Sequence, residues 1–272
     1  MMRWLQLTPE AANRFLNRFL RWLGGVLAVL VLILALVSVV RKGPPGITRM
    51  PDFAQIEDIG ERKAAFFAFL EPFTAAANGD VLQARERLRK LGHRSRSVPL
   101  NRRDLSWLAE MEAVYELPVA EKEEAVGIRV DRLLRRVDII PPSMALAQAA
   151  LESGWGTSRF AQEGNNLFGI WCWEPGCGIV PMRRPAGRTY EVAAYPTPRA
   201  CFQDYMRNLN TNEAYRDLRS IRFELRAARE PVTGPALLDG LYRYSEEGWT
   251  YVGKVRRVIQ SNHLTRYDET IP

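Results

Sequence analysis

The pattern of apolar and polar positions separates one membrane segment from a longer helical body. The stretch at residues 22–40 reads WLGGVLAVLVLILALVSVV and carries no charged residue. At about 1.5 Å per residue it would span roughly 28 Å, close to the bilayer hydrocarbon core of about 30 Å. We therefore predict one uncleaved transmembrane anchor at 22–40. The alternative is a cleaved signal peptide, which usually has a shorter apolar core and a small-residue cleavage site.

The residues on either side of this segment predict its orientation. Residues 11–21 read AANRFLNRFLR and place apolar side chains opposite arginines, as an amphipathic helix on a membrane surface does. Four arginines precede the apolar segment, whereas only Arg41 and Lys42 follow it closely. The positive-inside rule then puts residues 1–21 in the cytoplasm as an amphipathic tail and the body on the other side.

The body divides into two parts after a linker. Residues 41–54 are rich in glycine and proline, which is typical of a linker. Residues 55–130 show helical spacing of apolar positions, with further helices expected at 81–91, 105–117 and 121–137. A second domain is expected at 131–272. The helical region has one apolar face that contains Phe66, Phe67, Leu70 and Phe73.

Composition and charge exclude two classes of protein. The chain has 272 residues, of which 47% are hydrophobic and 25% charged, which is globular rather than disordered composition. The net charge is +7, but residues 1–42 alone contribute six basic groups and one acidic group. The body is therefore nearly neutral, and it lacks the basic excess expected of a nucleic-acid-binding surface.

Two of the three cysteines flank a Pro-Gly turn. In WCWEPGCG, this turn can bring Cys172 and Cys177 within disulfide range. A body outside the cytoplasm would lie in an oxidising compartment, so we predict a Cys172–Cys177 disulfide. Their spacing is not that of a zinc motif, so we expect no metal site. Cys201 is expected to be a buried free thiol.

A short helix that ends in a glutamate carries the candidate chemistry. In PPSMALAQAALESGWG, a proline in the first turn, an alanine-rich run and two later glycines predict a helix that ends near Glu152. The helix dipole disfavours a carboxylate in the last turn, and crowding by Trp155 and Phe168 would raise its pKa further. A glutamic acid that stays protonated near neutral pH can act as a general acid. Gln148 lies one turn earlier on the same face.

The same residues carry a resemblance to a known family. ALAQAALESGWGTSRFA, followed by NNLFGI, resembles the glucosaminidase domain of glycoside hydrolase family 73, and WCWEPGCG is most similar to its Bax-protein-like branch. The resemblance covers residues 131–262. It implies an α+β, mostly α, lysozyme-like catalytic domain with a small β-hairpin lobe at 178–195. Here that domain follows a helical region and one transmembrane helix. No metal or organic cofactor is implied.

The resemblance also implies roles for individual residues. Glu152 matches the catalytic acid, and Asn166 begins the segment that leads into the β lobe. Tyr215 and Tyr251 resemble two tyrosines that line the cleft. The substrate-binding set then comprises Gln148, Trp155, Asn166, Phe168, Trp171 and Tyr251, with the aromatic rings of Trp155, Phe168 and Trp171 stacking on sugars.

One departure from the family leaves the second catalytic group open. The family often has a glutamate on the first hairpin strand, but that strand reads GIVPMRR here. Glu191 on the returning strand and Glu174 in the cysteine loop are the remaining candidates, or the acetamido group of the substrate acts as the nucleophile. We expect the Glu191→Gln substitution to cost far less turnover than Glu152→Gln.

The resemblance and the membrane segment together predict a function. The chain would be a peptidoglycan hydrolase of the bacterial inner membrane, a single-pass protein whose catalytic domain lies in the periplasm. It would cleave the β-1,4 bond after N-acetylglucosamine in glycan strands. The alternatives are a lytic transglycosylase, which leaves an anhydro sugar, and a non-catalytic scaffold that binds the cell wall.

Overall fold

A computed structural model describes residues 49–118 and 124–270, which belong to one compact unit beginning at Gly46. The expectations for the tail at 1–21, the anchor at 22–40 and most of the linker at 41–54 concern residues outside this range. Within the described ranges, no helix is both long enough and apolar enough to cross a membrane.

The described chain is mostly helical, with one small sheet. The three strands are β1 (Trp171–Cys172), β2 (Gly178–Ile179) and β3 (Glu191–Ala193), and four 3-10 helices lie at Phe53–Gln55, Glu213–Tyr215, Leu238–Leu241 and Leu264–Thr270. The α-helices are α1 (Ile59–Arg94), α2 (Arg102–Val114), α3 (Val126–Arg136), α4 (Pro142–Glu152), α5 (Arg159–Gly164), α6 (Pro198–Thr211), α7 (Arg216–Ala228), α8 (Gly234–Leu237) and α9 (Trp249–Ser261).

Helix α4 lies at the centre of the fold because it is apolar on all sides. Every residue from Pro142 to Ala150 is buried, as expected of a helix without a polar face. Helices α1, α8 and α9 and the last 3-10 helix pack around it. The site at the end of α4 is therefore held on a helix that is buried from Pro142 to Ala150.

The region at 55–130 shares this core with the rest of the unit. The long helix α1 packs against α3, α4 and α6, and Phe66 and Leu70 lie in the same hydrophobic cluster as Met144 and Phe202. The segment expected as a separate helix at 81–91 is instead part of α1. The predicted domain boundary at 130/131 falls inside α3.

A buried cluster of charges joins α1, α3 and α7. Asp138 is 2% exposed and lies 3.4 Å from Arg85 and 3.1 Å from Arg226. Arg222, which is also buried, donates to the backbone carbonyl of Ile139 at 2.8 Å. Burial alone would raise the pKa of Asp138, but the positive charges of Arg222 and Arg85 outweigh it and lower the pKa. These contacts hold the backbone just before α4, at Asp138 and Ile139, against α1 and α7.

The sheet forms the small β lobe. Its strand order is β1-β3-β2, and both pairings are antiparallel, with Val192 of β3 opposite Trp171 on one side and Ile179 on the other. The expected hairpin at 178–195 is thus present, and β1 adds a third strand. The mostly helical α+β fold agrees with the prediction.

Candidate active site

A turn with left-handed backbone holds the end of α4. Gly154, Trp155 and Gly156 have φ values of 57°, 61° and 75°, a region that costs a non-glycine residue about 1–2 kcal/mol. Ser153 ties the turn together: its Oγ donates to the carbonyl of Ala149 at 2.5 Å and accepts from the N–H of Gly156 at 2.8 Å. The chain therefore leaves α4 immediately after Glu152, whose side chain remains exposed.

Trp155 stabilises this turn from the side of α1. Its ring makes edge contacts with Phe66 and Phe67 at centroid distances of 5.9 and 5.4 Å, and Lys63 Nζ lies 4.9 Å from the ring centroid. These contacts offset the cost of a left-handed tryptophan. The structure thus uses Trp155, expected to stack on a sugar, as a partly buried link between the turn and α1.

A chain of hydrogen bonds runs through the core to Glu152. The hydroxyl of Tyr205 donates to Gln148 Oε1 at 2.6 Å, and Gln148 Nε2 donates to the hydroxyl of Tyr251 at 2.9 Å. The hydroxyl of Tyr251 in turn donates to Glu152 Oε1 at 2.7 Å. Tyr205 and Gln148 are almost completely buried, and Tyr251 is 5% exposed. Tyr205, Gln148 and Tyr251 therefore form a continuous chain of hydrogen bonds in which each residue donates to the next and the last donates to Glu152.

The direction of this chain determines which oxygen of Glu152 can carry a proton. A hydroxyl has one hydrogen to donate, and the Tyr251 hydrogen is directed at Oε1. Oε1 is therefore an acceptor, so the proton of a neutral Glu152 belongs on Oε2. In this arrangement, Oε2 is the oxygen of Glu152 that can donate a hydrogen bond.

Tyr251 contacts the carboxyl group of Glu152, and three further tyrosines lie close to that contact. Tyr251 stacks on Tyr244 at 5.2 Å, and Tyr244 lies 5.9 Å from Tyr215. Burial raises the pKa of Tyr205, Tyr215, Tyr244 and Tyr251, and the negative charge of Glu152 adds to the rise in each. Of the two tyrosines chosen from the sequence, Tyr251 contacts the glutamate and Tyr215 lies next to Tyr244. The structure adds Tyr205 and Tyr244, which sequence reasoning missed.

The surroundings of Glu152 favour its protonated form. Loss of water around the carboxyl raises its pKa above the ordinary value of 4.5, although the hydrogen bond from Tyr251 opposes this rise. The negative charge of Glu247 raises the pKa as well, and Lys254 lowers it. Because the residue remains exposed, water still reaches part of the carboxyl group. Glu152 therefore ionises less readily than an ordinary glutamate.

Asn166 and Phe168 build the base of the β lobe. Asn166 Nδ2 donates to the carbonyls of Ile170 and Ala193 at 2.8 and 2.9 Å, and its Oδ1 accepts from the N–H of Ile170. The ring of Phe168 stacks on Tyr205 at 3.9 Å and is 4% exposed. Tyr205 covers one face of that ring, so Phe168 fixes the position of Tyr205 instead of offering this face to a sugar.

The exposed aromatic side chains of the lobe lie on its sheet. Trp171 stacks on Tyr190 at 4.4 Å, and Trp173 lies 6.2 Å from both rings. Trp171 and Trp173 are 51% and 66% exposed. Of the three aromatic residues expected to bind sugars, Trp171 is the one whose ring is open to solvent, and Trp173 extends the same surface.

Glu191 secures the cysteine loop of the lobe. Cys172 and Cys177 form a disulfide, and the two oxygens of Glu191 accept from the backbone N–H groups of Gly176 at 3.1 Å and Gly178 at 2.8 Å. These two hydrogen bonds lower the pKa of Glu191. Each oxygen of Glu191 therefore accepts one hydrogen bond from the loop backbone. Cys172, Cys177 and Glu191 lie close enough together to suggest a metal site. Because the two sulfur atoms are bonded to each other, neither cysteine is available as a thiolate ligand.

A cavity elsewhere in the fold contains another buried carboxyl group, Asp268, whose pKa is raised by burial. It has a volume of about 660 Å³ and is lined by Arg226, Arg229 and Asp268 among others, but not by Glu152 or its tyrosines. The buried carboxylate of Asp268 already accepts hydrogen bonds from Ser143 and Gly234. These hydrogen bonds oppose the rise in its pKa and hold both of its oxygens against the protein, whereas Glu152 is exposed.

Comparison with known proteins agrees with this location. Residues 129–264 match the family described as "Glucosaminidase: Mannosyl-glycoprotein endo-beta-N-acetylglucosaminidase". The chain belongs to the glucosaminidase family. It is also 32% identical over 213 residues to Protein bax of Escherichia coli (strain K12), a match that covers 78% of this chain and 74% of that protein. No solved structure matches.

The matched residues contain most of the candidate site described above. They include Glu152, the β lobe and the tyrosines near the carboxyl group. The predicted family resemblance is confirmed, including its Bax-like branch. Membership of the glucosaminidase family indicates a glycoside hydrolase with a glycan substrate.

Proposed function

We propose that this protein is a membrane-anchored peptidoglycan hydrolase that cleaves the β-1,4 bond after N-acetylglucosamine, with Glu152 as the general acid. The observation that carries the proposal is the hydrogen-bond chain that ends on Glu152 Oε1. It presents a protonated Oε2 to a bound glycan, and the protein environment raises the pKa of this group. Both are requirements of a glycosidase acid.

The first chemical event is a proton transfer. Oε2 of Glu152 donates its proton to the glycosidic oxygen while the bond from that oxygen to the anomeric carbon breaks. The anomeric centre then develops positive charge, and the carboxylate left on Glu152 is stabilised by the hydrogen bond from Tyr251. Tyr215 and Tyr244 border the same carboxyl group. Their rings and hydroxyls are placed to position the sugar whose bond breaks.

The cysteine loop supports a location outside the cytoplasm. A disulfide such as Cys172–Cys177 persists in oxidising compartments. Together with the anchor expected at 22–40, this supports an inner-membrane protein with its catalytic part in the periplasm. The exposed rings of Trp171 and Trp173 are suited to stacking on the sugars of a long glycan strand.

Mass spectrometry of digested peptidoglycan tests the reaction. The full-length protein in detergent is incubated with purified sacculi, and the soluble fragments are separated and weighed. We expect fragments that end in a reducing N-acetylglucosamine. Fragments that end in anhydro-N-acetylmuramic acid would identify a lytic transglycosylase, and a lack of any fragments would favour the non-catalytic scaffold.

We expect the Tyr251→Phe substitution to change both the rate and the pH dependence. The lost hydrogen bond to a charged group is worth about 1.5–3 kcal/mol, so kcat should fall about 10-fold to 100-fold. Activity requires protonated Glu152 and is lost as pH rises through its pKa. Because the hydrogen bond stabilises the carboxylate, its removal raises that pKa and moves the alkaline limb of the kcat profile to higher pH.

The control for this substitution is Tyr242→Phe. The Tyr242 ring lies 5.0 Å from that of Trp249, and its side chain is exposed. This variant should retain the wild-type rate and pH profile. An alkaline limb that stays in place in Tyr251→Phe would contradict the assigned contact between the tyrosine and the acid.

A further inference from the structure

A pocket between α3 and α7 concentrates positive charge. It has a volume of about 250 Å³, and its lining includes five arginines and one carboxylate, that of Glu213. The arginines are Arg132, Arg135 and Arg136 of α3 and Arg216 and Arg219 of α7. Because the body as a whole is nearly neutral, this charge is a local feature and does not follow from general composition.

The packing of two helices creates this arginine pocket. On α3, the second and third arginines follow the first by three and four positions, so all three lie on one face of the helix. On α7, Arg219 follows Arg216 by three positions, and the two share a face for the same reason. Helices α3 and α7 pack against each other. The two basic faces therefore meet at one place.

A single carboxylate serves two of the arginines. Arg136 and Arg219 both contact Oε1 of Glu213, at 3.1 and 3.5 Å. Arg219 is 6% exposed, and burial lowers its pKa. The positive charges of Arg136 and Arg216 lower this pKa further, whereas Glu213 opposes the shift. A second anion in the pocket would relieve the repulsion among these arginines.

The other three arginines keep donor groups for such an anion. Arg132 pairs with Glu124 at 2.5 Å, but its buried Nε has no hydrogen-bond partner among the described residues. Within residues 49–118 and 124–270, the exposed Arg135 and Arg216 have no acidic partner. A guanidinium group can bind a carboxylate or a phosphate through two parallel N–H···O bonds. The pocket is therefore suited to an oxyanion.

Short contacts connect the arginine pocket to the catalytic acid. Tyr215 directly precedes Arg216, and its ring lies 5.9 Å from that of Tyr244. The ring of Tyr244 stacks on Tyr251 at 5.2 Å. The hydroxyl of Tyr251 donates to Glu152 Oε1 at 2.7 Å. The pocket thus adjoins the tyrosines that lead to the acid.

We propose that the arginine pocket binds a carboxylate of the stem peptides, the short peptides that the glycan strands of peptidoglycan carry on alternate sugars. The inference rests on the proposed peptidoglycan hydrolase function and adds a preference for strands that still bear peptides. A peptide of four or five residues spans up to about 13–18 Å when extended, which suits a link between a sugar near Glu152 and the pocket. A nucleic acid would instead need an extended basic surface.

The double variant Arg135→Gln/Arg216→Gln tests this preference in the full-length protein in detergent. Both side chains are exposed, so the substitutions leave the core unchanged. The substrates are uncrosslinked glycan strands with their stem peptides and the same strands after an amidase has removed the peptides. We expect wild-type protein to have the higher kcat/KM on peptide-bearing strands. The double variant should lose about 10-fold in this ratio, mainly through KM, because charge-assisted contacts are lost.

The matched control is Arg102→Gln/Arg103→Gln. It removes the same charge from two exposed arginines at the start of α2 that do not line the pocket. This variant should keep the wild-type preference. An equal loss in the control would show that overall charge, and not the arginine pocket, attracts the peptide-bearing strand.

Calorimetric titration identifies the bound group. The free stem peptide should bind wild-type protein, and both amidation of its carboxylates and the double substitution should weaken binding about 10-fold or more. Glycerol phosphate, the soluble part of an anionic lipid headgroup, should bind more weakly than the peptide. Tighter binding of glycerol phosphate would overturn the peptide assignment and indicate a lipid.

The two proposals fail in different ways. If wild-type protein cleaves both substrates equally well, or if the double variant keeps the preference, only the inference about the arginine pocket is wrong. If wild-type protein cleaves neither substrate, the proposed hydrolase function fails. The peptide titration then still decides whether the pocket binds a carboxylate.

Discussion

Replacing Glu152 by glutamine should remove lytic activity and leave the fold intact. Glutamine has the shape of glutamate, and its Oε1 can still accept the hydrogen bond from Tyr251, but it has no proton to transfer. Loss of a general acid costs about 10²-fold to 10⁴-fold in rate. We expect kcat on purified peptidoglycan to fall at least that far, with an unchanged circular-dichroism spectrum and melting temperature.

Glu191→Gln is the comparison for this experiment. Its carboxylate accepts from two backbone N–H groups of the cysteine loop, and glutamine keeps only one acceptor oxygen. We expect a modest loss of turnover and a loosened lobe. Equal losses of kcat in the two variants, with substrate binding preserved, would instead place Glu191 in the chemistry.

Replacing Asp138 by asparagine should destabilise the protein more than any surface change. Asp138 is 2% exposed and forms ion pairs with Arg85, Arg222 and Arg226. Without its charge, the buried arginines lose their compensating carboxylate, which costs about 3–5 kcal/mol. Proteins are stable by only about 5–15 kcal/mol, so urea titration should show a much lower midpoint.

The pH dependence of unfolding gives a second measure of this carboxylate. The pKa of Asp138 is lowered in the folded protein. Its contribution to stability is therefore present above the ordinary aspartate pKa of 3.8 and is lost as pH falls through the lowered value. The asparagine variant should lack this acid-dependent loss. The control is Asp80→Asn at an exposed pair with Arg199, which should cost about 1 kcal/mol or less.

Much of the catalytic end of the fold could be predicted because its signals are local. The composition of α4 and the glycines after it place Glu152 at a helix end, and the structure ends α4 at that residue. The hairpin at 178–195 was expected from the family resemblance. Tyr215 and Tyr251 came from the family resemblance, which carries information that periodicity does not.

The remaining features depend on contacts between distant residues. Tyr205 and Gln148 are 57 positions apart in the chain, and nothing local shows that they meet. Phe168 and Trp155 were expected in the cleft because aromatic rings bind sugars, but such rings also fill cores. In the structure, Phe168 stacks on Tyr205, and Trp155 packs against α1. The burial of Asp138 with three arginines also required the full fold.

The contact between Trp155 and the two phenylalanines of α1 has an evolutionary consequence. The residues that match the glucosaminidase family begin at 129, whereas the helix that covers their central apolar surface lies upstream of them. A recombination event that transferred the matched segment alone would produce a domain whose apolar core is uncovered and prone to aggregation. In this lineage the enzyme and the helix that covers it are therefore expected to be inherited together, and substitutions at Trp155 should be accompanied by substitutions at Phe66 and Phe67.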